Sequence, residues 1–368
     1  MHALARPTPR LLPAVRLLLL ITLAGRLVGS SRPYLPPEPL PDAPIIDLHC
    51  HTAGIGAGGS GCFVSDALRR SYKFRLYLRA FGVTAREVEA QGDGLIITRI
   101  AETLAGSRHV RRAVILALDG AVDANGGLDR AHTEVYVPNE FVAAEVARHS
   151  NLLWGASVNP YRPDALARLE WAKAHGAVLV KWLPSIQRID PADPRLIPYY
   201  RKLAELHLPL LTHTGNEHSF TQATDELCDP DRLRRPLQQG VTVIAAHAAT
   251  TGRFAGEPSL DRLARLMAEY PNLYADISSL TQVNKLGDLG DALQRPELRH
   301  RLLYGTDFPL VNMPALVSPW YHLHRLSFRQ VRAIAAIHNP WDRDVALKQA
   351  LGVPAEVWTA ADAVLHRM

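Results

Sequence analysis

Short apolar runs recur along the chain from residue 45 onward, and several of the segments between them carry apolar residues at a spacing near 3.6. This alternation is typical of βα repeats around a parallel sheet. Eight such runs are predicted to be strands, at residues 45–49, 113–118, 152–158, 177–181, 208–213, 241–247, 273–277 and 302–306. Because eight βα units close a barrel, the sequence predicts an α/β fold, a single-domain (β/α)8 TIM barrel. An open doubly wound sheet is the alternative.

The connection between the first two runs is unusually long, roughly 60 residues where a few are typical. It is predicted to be an insertion that carries helices at 66–80 and 85–104. A connection that leaves the first strand emerges at the C-terminal face of a barrel, where loops set substrate choice. Helices are also predicted at 164–175, 196–206 and 260–269, between later runs.

Residues 1–44 differ from the rest and are predicted to form a separate basic and apolar segment with a Pro-rich linker, which leaves 45–368 as the barrel domain. The basic start, the apolar stretch and the small residues after it resemble a secretory signal. Arg16 and Arg26 limit the apolar run to nine residues, too short to cross a bilayer unaided. The protein is therefore exported or tethered to a membrane if the segment is a signal. It is cytoplasmic if the segment is a disordered or overextended tail.

The net charge of +5 is concentrated at the N-terminus, where residues 1–40 hold five arginines and one acid and leave about +1 for the rest. The barrel region has no run of basic residues, so nucleic acid is not an expected partner.

Three cysteines argue against a disulfide framework. Cys50 is expected to point away from the histidines on either side of it, into the core behind the barrel wall. A small molecule is the expected partner, and the composition is compatible with a homo-oligomer.

Several runs end in, or are followed by, residues of the types that bind metal ions in proteins. His49 and His51 are two residues apart on a predicted strand, so their side chains project from the same face. Further candidates close later runs in the same way, namely Lys181, His213, His247 and Asp307. In a barrel these strand ends meet at one mouth, which predicts a divalent metal site. Zn²⁺ is the expected ion, with Mn²⁺ or Fe²⁺ as alternatives. Glu217 and His218 follow His213 and are further candidates for lining the mouth.

The chain resembles the amidohydrolase superfamily, and more narrowly the amidohydrolase-related branch that holds metal-dependent hydrolases and decarboxylases. The similarity covers roughly residues 45–310 and is carried by Asp47-Leu48-His49-Cys50-His51, Val180-Lys181-Trp182-Leu183-Pro184, His213-Thr214-Gly215, Ala246-His247 and Gly305-Thr306-Asp307-Phe308-Pro309. It implies that five residues form the metal and catalytic set, namely His49, His51, His213, His247 and Asp307. TatD-like nucleases have a glutamate where this chain has Lys181, and the polymerase-and-histidinol-phosphatase family has more scattered ligands, so both fit less well.

Lys181 bears on the number of metal ions. The resemblance implies either that a carboxylated Lys181 bridges two ions, with His213 and His247 on the second, or that one ion is bound and His247 helps to polarise the substrate. In the mononuclear arrangement four residues hold the ion, namely His49, His51, His213 and Asp307. A lysine beside a divalent cation is electrostatically disfavoured, which favours carboxylation. A free ammonium that binds a substrate carboxylate is the alternative, as is a purely structural lysine.

These features predict a metal-dependent hydrolase. The ion activates a water, Asp307 acts as general base, and His247 assists a polarised carbonyl, so that an amide, ester or lactone type bond of a small molecule is cleaved. One alternative is a metal-dependent decarboxylase, a lyase of a small aromatic or vinylogous acid. A second is a metal-binding barrel without turnover.

Overall fold

Eight parallel strands follow one another in chain order around a single sheet. The protein is represented by a computed structural model that describes residues 37–216 and 223–365. The strands are β1 (Ile45–His51), β2 (Val110–Leu116), β3 (Leu152–Ala156), β4 (Ala177–Trp182), β5 (Leu210–Thr212), β6 (Val243–Ala245), β7 (Leu273–Asp276) and β8 (Leu302–Leu303). Each overlaps one predicted run, so the predicted α/β barrel is confirmed and the doubly wound sheet is excluded.

The predictions for residues 1–36, and those for Glu217 and His218, lie outside the described residues. Within 37–216 and 223–365, no helix combines the length and the apolar character needed to cross a bilayer.

The barrel closes through backbone hydrogen bonds between β1 and the segment after β8. The amide of Asp307 donates to the carbonyl of His49 at 2.9 Å, and the amide of His51 donates to the carbonyl of Phe308 at 2.9 Å. A Cβ atom on Gly305 would lie 2.9 Å from that of His49, so this close approach requires glycine. The first and last strand ends are therefore neighbours, as a shared metal site requires.

The barrel interior is filled by apolar side chains, among them Leu116, Leu179 and Ile244. Three residues of the last helix, Ala361, Val364 and Leu365, belong to the same cluster. The barrel is thus a packed core and not a pore, as is usual for this architecture.

Strand β1 departs from simple alternation where it enters the mouth of the barrel. Leu48 packs into the interior cluster, and the next residue, His49, reaches Asp276 at the end of β7. The pairing register between β1 and β2 shifts between Asp47 and Cys50, which places these consecutive side chains on the same side. Beyond the shift alternation resumes, and Cys50 lies in the outer core, as predicted.

The helices surround the barrel. They are α1 (Asp66–Arg70), α2 (Tyr72–Ala80), α3 (Ala85–Gln91), α4 (Gly94–Ala105), α5 (Asn139–Val146), α6 (Ala165–Ala174), α7 (Pro184–Gln187), α8 (Ile197–Glu205), α9 (Arg234–Gln238), α10 (Ser259–Glu269), α11 (Asp288–Leu293), α12 (Phe328–Ala335), α13 (Pro340–Ala350) and α14 (Ala355–Leu365). The helices predicted at 164–175, 196–206 and 260–269 are confirmed as α6, α8 and α10.

The insertion after β1 contains four helices where two were predicted. The predicted helix 66–80 is interrupted at Ser71, whose extended backbone ends α1 and whose hydroxyl caps α2 by accepting from the amide of Lys73. The predicted helix 85–104 is interrupted at Gly92, which has a φ of 89°. Both breaks come from local residues that favour capping or a left-handed backbone over helix continuation.

Asp47 links three elements behind the mouth of the barrel. Its fully buried carboxylate accepts from the Thr306 hydroxyl at 2.5 Å and the Thr306 amide at 3.0 Å, both in the segment after β8. It also accepts from the indole Nε1 of Trp341 in α13 at 2.9 Å and from the amide of His49 at 3.1 Å. The carboxylate therefore connects β1, the β8 end and α13 through one acceptor group.

Replacing Asp47 by alanine is expected to destabilise the protein by about 3 kcal/mol or more, because it leaves several buried donors without an acceptor. Urea unfolding followed by circular dichroism measures the change. Asp42→Ala is the matched control, since Asp42 is exposed and its loss should change the free energy of unfolding by less than about 0.5 kcal/mol. Equal effects of the two substitutions would contradict this role for Asp47.

Candidate metal centre

The six predicted site residues all lie at the C-terminal ends of barrel strands. His49 and His51 belong to β1 and Lys181 to β4, whereas His213, His247 and Asp307 follow β5, β6 and β8. All except His51 have a buried side chain or nearly so, with at most 7% of the residue exposed. Residues that are far apart in sequence are therefore brought to one mouth by the barrel topology.

Three of these side chains converge closely. Nε2 of His49 and Nε2 of His51 are 3.2 Å apart. Oδ1 of Asp307 lies 3.3 Å from Nε2 of His51 and 3.7 Å from Nε2 of His49. The ligand atoms of the three residues lie within 4.8 Å of one another, a spacing that a single metal ion can bridge.

The other predicted residues adjoin this group. Nζ of Lys181 is 3.0 Å from Nε2 of His49. The imidazole of His247 stacks on that of His49 with ring centroids 5.2 Å apart, and the His213 ring meets the His247 ring edge-on at 5.1 Å. The structure thus places all six predicted residues in one continuous cluster.

Asp276, at the end of β7, organises the cluster and was not singled out from the sequence. Its Oδ2 accepts from Nδ1 of His49 at 2.8 Å. Its Oδ1 accepts from the amide of His247 at 2.9 Å and from the amide and hydroxyl of Ser278 at 3.0 and 2.5 Å. Both oxygens are therefore engaged in orienting two histidine-bearing segments. The available signal was a carboxylate near the end of the predicted run 273–277.

These hydrogen bonds define the tautomers of two histidines. Because Nδ1 of His49 donates to Asp276, its Nε2 carries the lone pair. Nδ1 of His247 faces the Ser278 carbonyl at 3.2 Å and the Ser278 hydroxyl at 2.8 Å. That hydroxyl already donates to Asp276, so Nδ1 of His247 carries the proton and its Nε2 the lone pair. Each ring therefore has an unprotonated nitrogen of the kind that binds a metal ion.

The charge states of the site follow from burial and from neighbouring charges. Burial and the charge of Lys181 lower the pKa of the His49 imidazole to about 4. Burial, with the charge of Lys285, lowers the pKa of His247 well below its ordinary value. Burial alone would raise the pKa of the Asp307 carboxyl, but the hydrogen bond from His51 and the nearby histidines hold that pKa well below its usual range. The lowered pKa values favour neutral imidazoles at His49 and His247 and an ionised carboxylate at Asp307.

The strand ends that carry the site hold strained backbone. Residues with a positive φ occur after three successive strands: His247 at 58° after β6, Ser279 at 58° after β7 and Asp307 at 64° after β8. Ala248 and Ala249 continue the left-handed stretch at 46° and 49°. Each non-glycine residue in this conformation costs roughly 1–2 kcal/mol. Such strain is concentrated at functional sites, where the surrounding structure enforces a particular side-chain direction.

A pocket of about 180 Å³ opens over the cluster. Its floor includes His51, Lys181, His213, His247 and Asp307. The insertion contributes apolar side chains to its walls, including Leu68 of α1 and Phe74 and Leu78 of α2. The insertion therefore lies beside the candidate ligands at the C-terminal face, as expected.

Comparison with known proteins identifies the family. The model of the amidohydrolase family matches residues 46–336, most of the chain. The chain therefore belongs to the amidohydrolase family, a family of metal-dependent enzymes that act on small molecules. No match is found among curated proteins.

Several solved structures are similar to this chain at low sequence identity. An uncharacterised TIM-barrel protein from Bordetella bronchiseptica is 18% identical with a TM-score of 0.51, covering 84% of this chain and 99% of its own. A Pseudomonas putida protein provisionally assigned as a 2-pyrone-4,6-dicarboxylic acid hydrolase is 15% identical with a TM-score of 0.48, covering 88% and 97%. A 2,6-dihydroxybenzoate decarboxylase from Rhizobium is 14% identical with a TM-score of 0.49, covering 88% and 98%. The first of these supports the barrel architecture.

Asp276→Asn is expected to weaken metal binding about 10- to 100-fold, because an amide cannot accept equally from His49 and from the His247 segment. Competition with a chromophoric zinc chelator measures the affinity. Asp261→Asn is the control, since Asp261 pairs with Arg295 on the outer surface and should leave metal affinity unchanged. Wild-type affinity in Asp276→Asn would show that this carboxylate does not orient the ligands.

Proposed function

We propose that this protein is a metal-dependent hydrolase that cleaves an amide, ester or lactone type bond of a small molecule. The observation that carries the proposal is the position of the Asp307 carboxylate, whose Oδ1 lies 3.3 Å from Nε2 of His51 in the lining of the pocket. A general base must reach the attacking water beside the ligands, and Asp307 has both the position and the charge state for this.

The donor set fits a divalent ion. His49, His51, His213 and Asp307 would hold it through imidazole nitrogens and a carboxylate oxygen, a combination suited to Zn²⁺ and also accepted by Mn²⁺ or Fe²⁺. The unprotonated Nε2 of His49, fixed by Asp276, supports this assignment. When bound, such an ion lowers the pKa of water from about 15.7 toward about 7 and polarises a carbonyl.

The residues of the chain supply the proton transfers. Asp307 accepts a proton from the attacking water and delivers it to the leaving atom. His247 lines the same pocket, and its Nδ1 proton is held by Ser278, so its Nε2 is available as a ligand or a proton acceptor. This tautomer favours those roles over donation to a substrate oxygen, which the sequence suggested for His247.

Lys181 is a further candidate ligand. Its Nζ is 3.0 Å from Nε2 of His49, close enough for a carboxylated lysine to share an ion with that histidine. As a free ammonium, Lys181 would instead donate to the nitrogen that an ion at His49 needs. Because the ammonium and a metal ion would compete for Nε2 of His49, the contact supports a carboxylated Lys181 and two ions. In the alternative with one ion, Lys181 stays uncarboxylated and moves away from His49 when the metal binds.

Removal of metal with a chelator is expected to abolish turnover, because the imidazoles alone cannot activate water. Zn²⁺, Mn²⁺ and Fe²⁺ are added back in turn to test recovery. Elemental analysis counts the ions, and growth with carbon-13 bicarbonate reports a carbamate on Lys181. Two ions per chain together with a carbamate signal would support carboxylation of Lys181. One ion per chain without that signal would support the mononuclear form. Turnover that persists in chelated, metal-free protein would refute the proposal.

Asp307→Asn is expected to lower turnover at least about 100-fold, because it keeps the shape and one oxygen but removes the proton acceptor. Turnover is measured on a panel of lactones, amides and aromatic acids, with metal content determined on the same samples. Asp261→Asn is again the control. Near wild-type turnover in a metal-loaded Asp307→Asn protein would exclude the mechanism. Release of CO2 in place of a new carboxylate or amine would identify a decarboxylase.

A further inference from the structure

We propose that the outer surface beside the mouth of the barrel docks on a lipid bilayer that contains anionic lipids. This mouth-side surface is formed by α1 and α2 of the insertion and by residues 319–332, which come after β8. The inference goes beyond the proposed function, because it concerns a surface outside the pocket and holds whichever reaction the metal centre performs.

Helix α2 has apolar side chains on two opposite faces. Phe74 and Leu78 are four residues apart and buried, and both line the pocket. Tyr72 and Leu76 are also four residues apart, but they lie on the outside of the helix and are 67% and 40% exposed. The helix that forms a wall of the pocket thus presents an aromatic and an aliphatic side chain to the surroundings.

Residues 319–332 border the same mouth. The side chain of Asn312 donates to the carbonyl of Ala80 at the end of α2 at 2.9 Å, which joins the chain after β8 to the insertion. Further along, Val317 forms a β-bridge with Gln282, and Gln282 lines the pocket. Trp320 follows Val317 by three residues. This segment and α2 therefore lie together at the C-terminal face of the barrel.

Exposed apolar side chains are concentrated on this surface. Trp320, Leu323 and Phe328 are 43%, 49% and 62% exposed, and the rings of Trp320 and Phe328 meet edge-on with centroids 5.6 Å apart. Together with Tyr72 and Leu76 they are five of the six exposed large apolar side chains among the described residues. Such a concentration on one side of a domain marks an interaction surface.

Positive charge is concentrated in the same two segments. Helices α1 and α2 carry five basic residues against one acid, namely Arg69, Arg70, Lys73, Arg75 and Arg79 against Asp66. Residues 308–341 carry three arginines and no acid. Because residues 41–368 have a net charge of about +1, the rest of that range carries about −6. The mouth-side surface is therefore basic on an otherwise acidic domain.

Several of the basic side chains can meet an external anion. Arg75, Arg79 and Arg329 are exposed, and none forms an ion pair with another residue in 37–216 or 223–365. Arg69 differs, since it lies 3.3 Å from the carboxylate of Glu89. The charge of this surface is thus only partly neutralised within the chain.

A bilayer with anionic lipids fits both properties of the surface. Tryptophan, tyrosine, phenylalanine and leucine insert where headgroups meet acyl chains, and neighbouring Lys and Arg side chains extend to lipid phosphates. Each basic residue near an anionic membrane strengthens binding about fivefold. A second copy of the chain fits less well, because a two-fold contact would place this basic surface against itself. Nucleic acid would engage the arginines and leave the leucines exposed.

Co-sedimentation of the full chain with vesicles tests the proposal. Vesicles of phosphatidylglycerol mixed with phosphatidylcholine are compared with vesicles of phosphatidylcholine alone. The wild-type protein is expected to bind the anionic vesicles at least about tenfold more tightly. The double variant Arg75→Gln, Arg79→Gln should bind them at least about tenfold more weakly, whereas Arg75→Lys, Arg79→Lys should retain most of the binding.

Trp320 reports contact at the surface itself. Of the six tryptophans, all within the described residues, Trp320 is the exposed one. Its fluorescence is expected to be quenched by lipids that carry bromine on their acyl chains, and Trp320→Phe should remove this quenching. Binding through residues 1–36, which contain no tryptophan, would sediment the protein without quenching.

Two further double variants separate the parts of the surface. Tyr72→Ser, Leu76→Ser removes apolar contact and should weaken binding to both kinds of vesicle. Arg112→Gln, Arg299→Gln is the matched control, since these exposed arginines lie near the start of β2 and just before β8, at the opposite end of the barrel. Its binding should stay within about twofold of wild type. Circular dichroism verifies that each variant is folded.

Wild-type binding by Arg75→Gln, Arg79→Gln would overturn the inference, and so would sedimentation with anionic vesicles that leaves Trp320 unquenched. Equal binding to both kinds of vesicle, or binding to neither, would overturn it as well. A dimer in analytical ultracentrifugation that Tyr72→Ser, Leu76→Ser dissociates would assign the surface to a second copy instead. None of these results depends on turnover, so the hydrolase proposal stands or fails separately.

Discussion

The carboxylate of Asp276 is the interaction on which the geometry of the site depends. One oxygen orients the ring of His49 on β1, and the other fixes the amide of His247 and the loop at Ser278. A single buried group thereby sets the direction of two imidazoles carried by separate strands. Burial alone would raise the pKa of the Asp276 carboxyl, yet the adjacent His49 and His247 hold it well below its ordinary value. The carboxylate thus remains an acceptor, and the His49 ring keeps on Nδ1 the proton that it donates to Asp276.

This arrangement is possible because the barrel closes tightly beside it. The β8 end approaches β1 at Gly305, where a side chain would collide with His49, and Asp47 connects the same region to α13. His247 and Asp307 have left-handed backbone conformations in the segments that follow β6 and β8, where their side chains line the mouth. Closure, buried hydrogen bonds and backbone strain therefore act on the same few residues. The stability of the surrounding barrel offsets the conformational cost at the site.

Much of the fold could be predicted because its signals are local and repeated. An apolar run predicted each of the eight strands. Residues of metal-binding types at the ends of several runs predicted that these strand ends meet at one mouth of the barrel. What sequence alone could not supply was contact between distant residues. Asp276 lay inside the predicted run 273–277, one residue before its end, and its role depends on facing His49, which lies on another strand. The register shift near Asp47 and the helix break at Ser71 were likewise set by packing and capping that apolar periodicity does not encode.

The insertion and the loop after β7 form the walls of the pocket. The barrel strands supply a nearly rigid floor of histidines and carboxylates that fits the general chemistry of the amidohydrolase family. The walls come from two different connections: α1 and α2 contribute leucine and phenylalanine side chains, whereas the loop after β7 contributes the amides of Gln282 and Asn284 and the side chain of Lys285. The loop after β7 also holds the floor, since the hydroxyls of Ser278 and Ser279 lie 2.8 and 3.1 Å from Nδ1 of His247. The insertion is therefore the wall that can differ with less effect on the histidines.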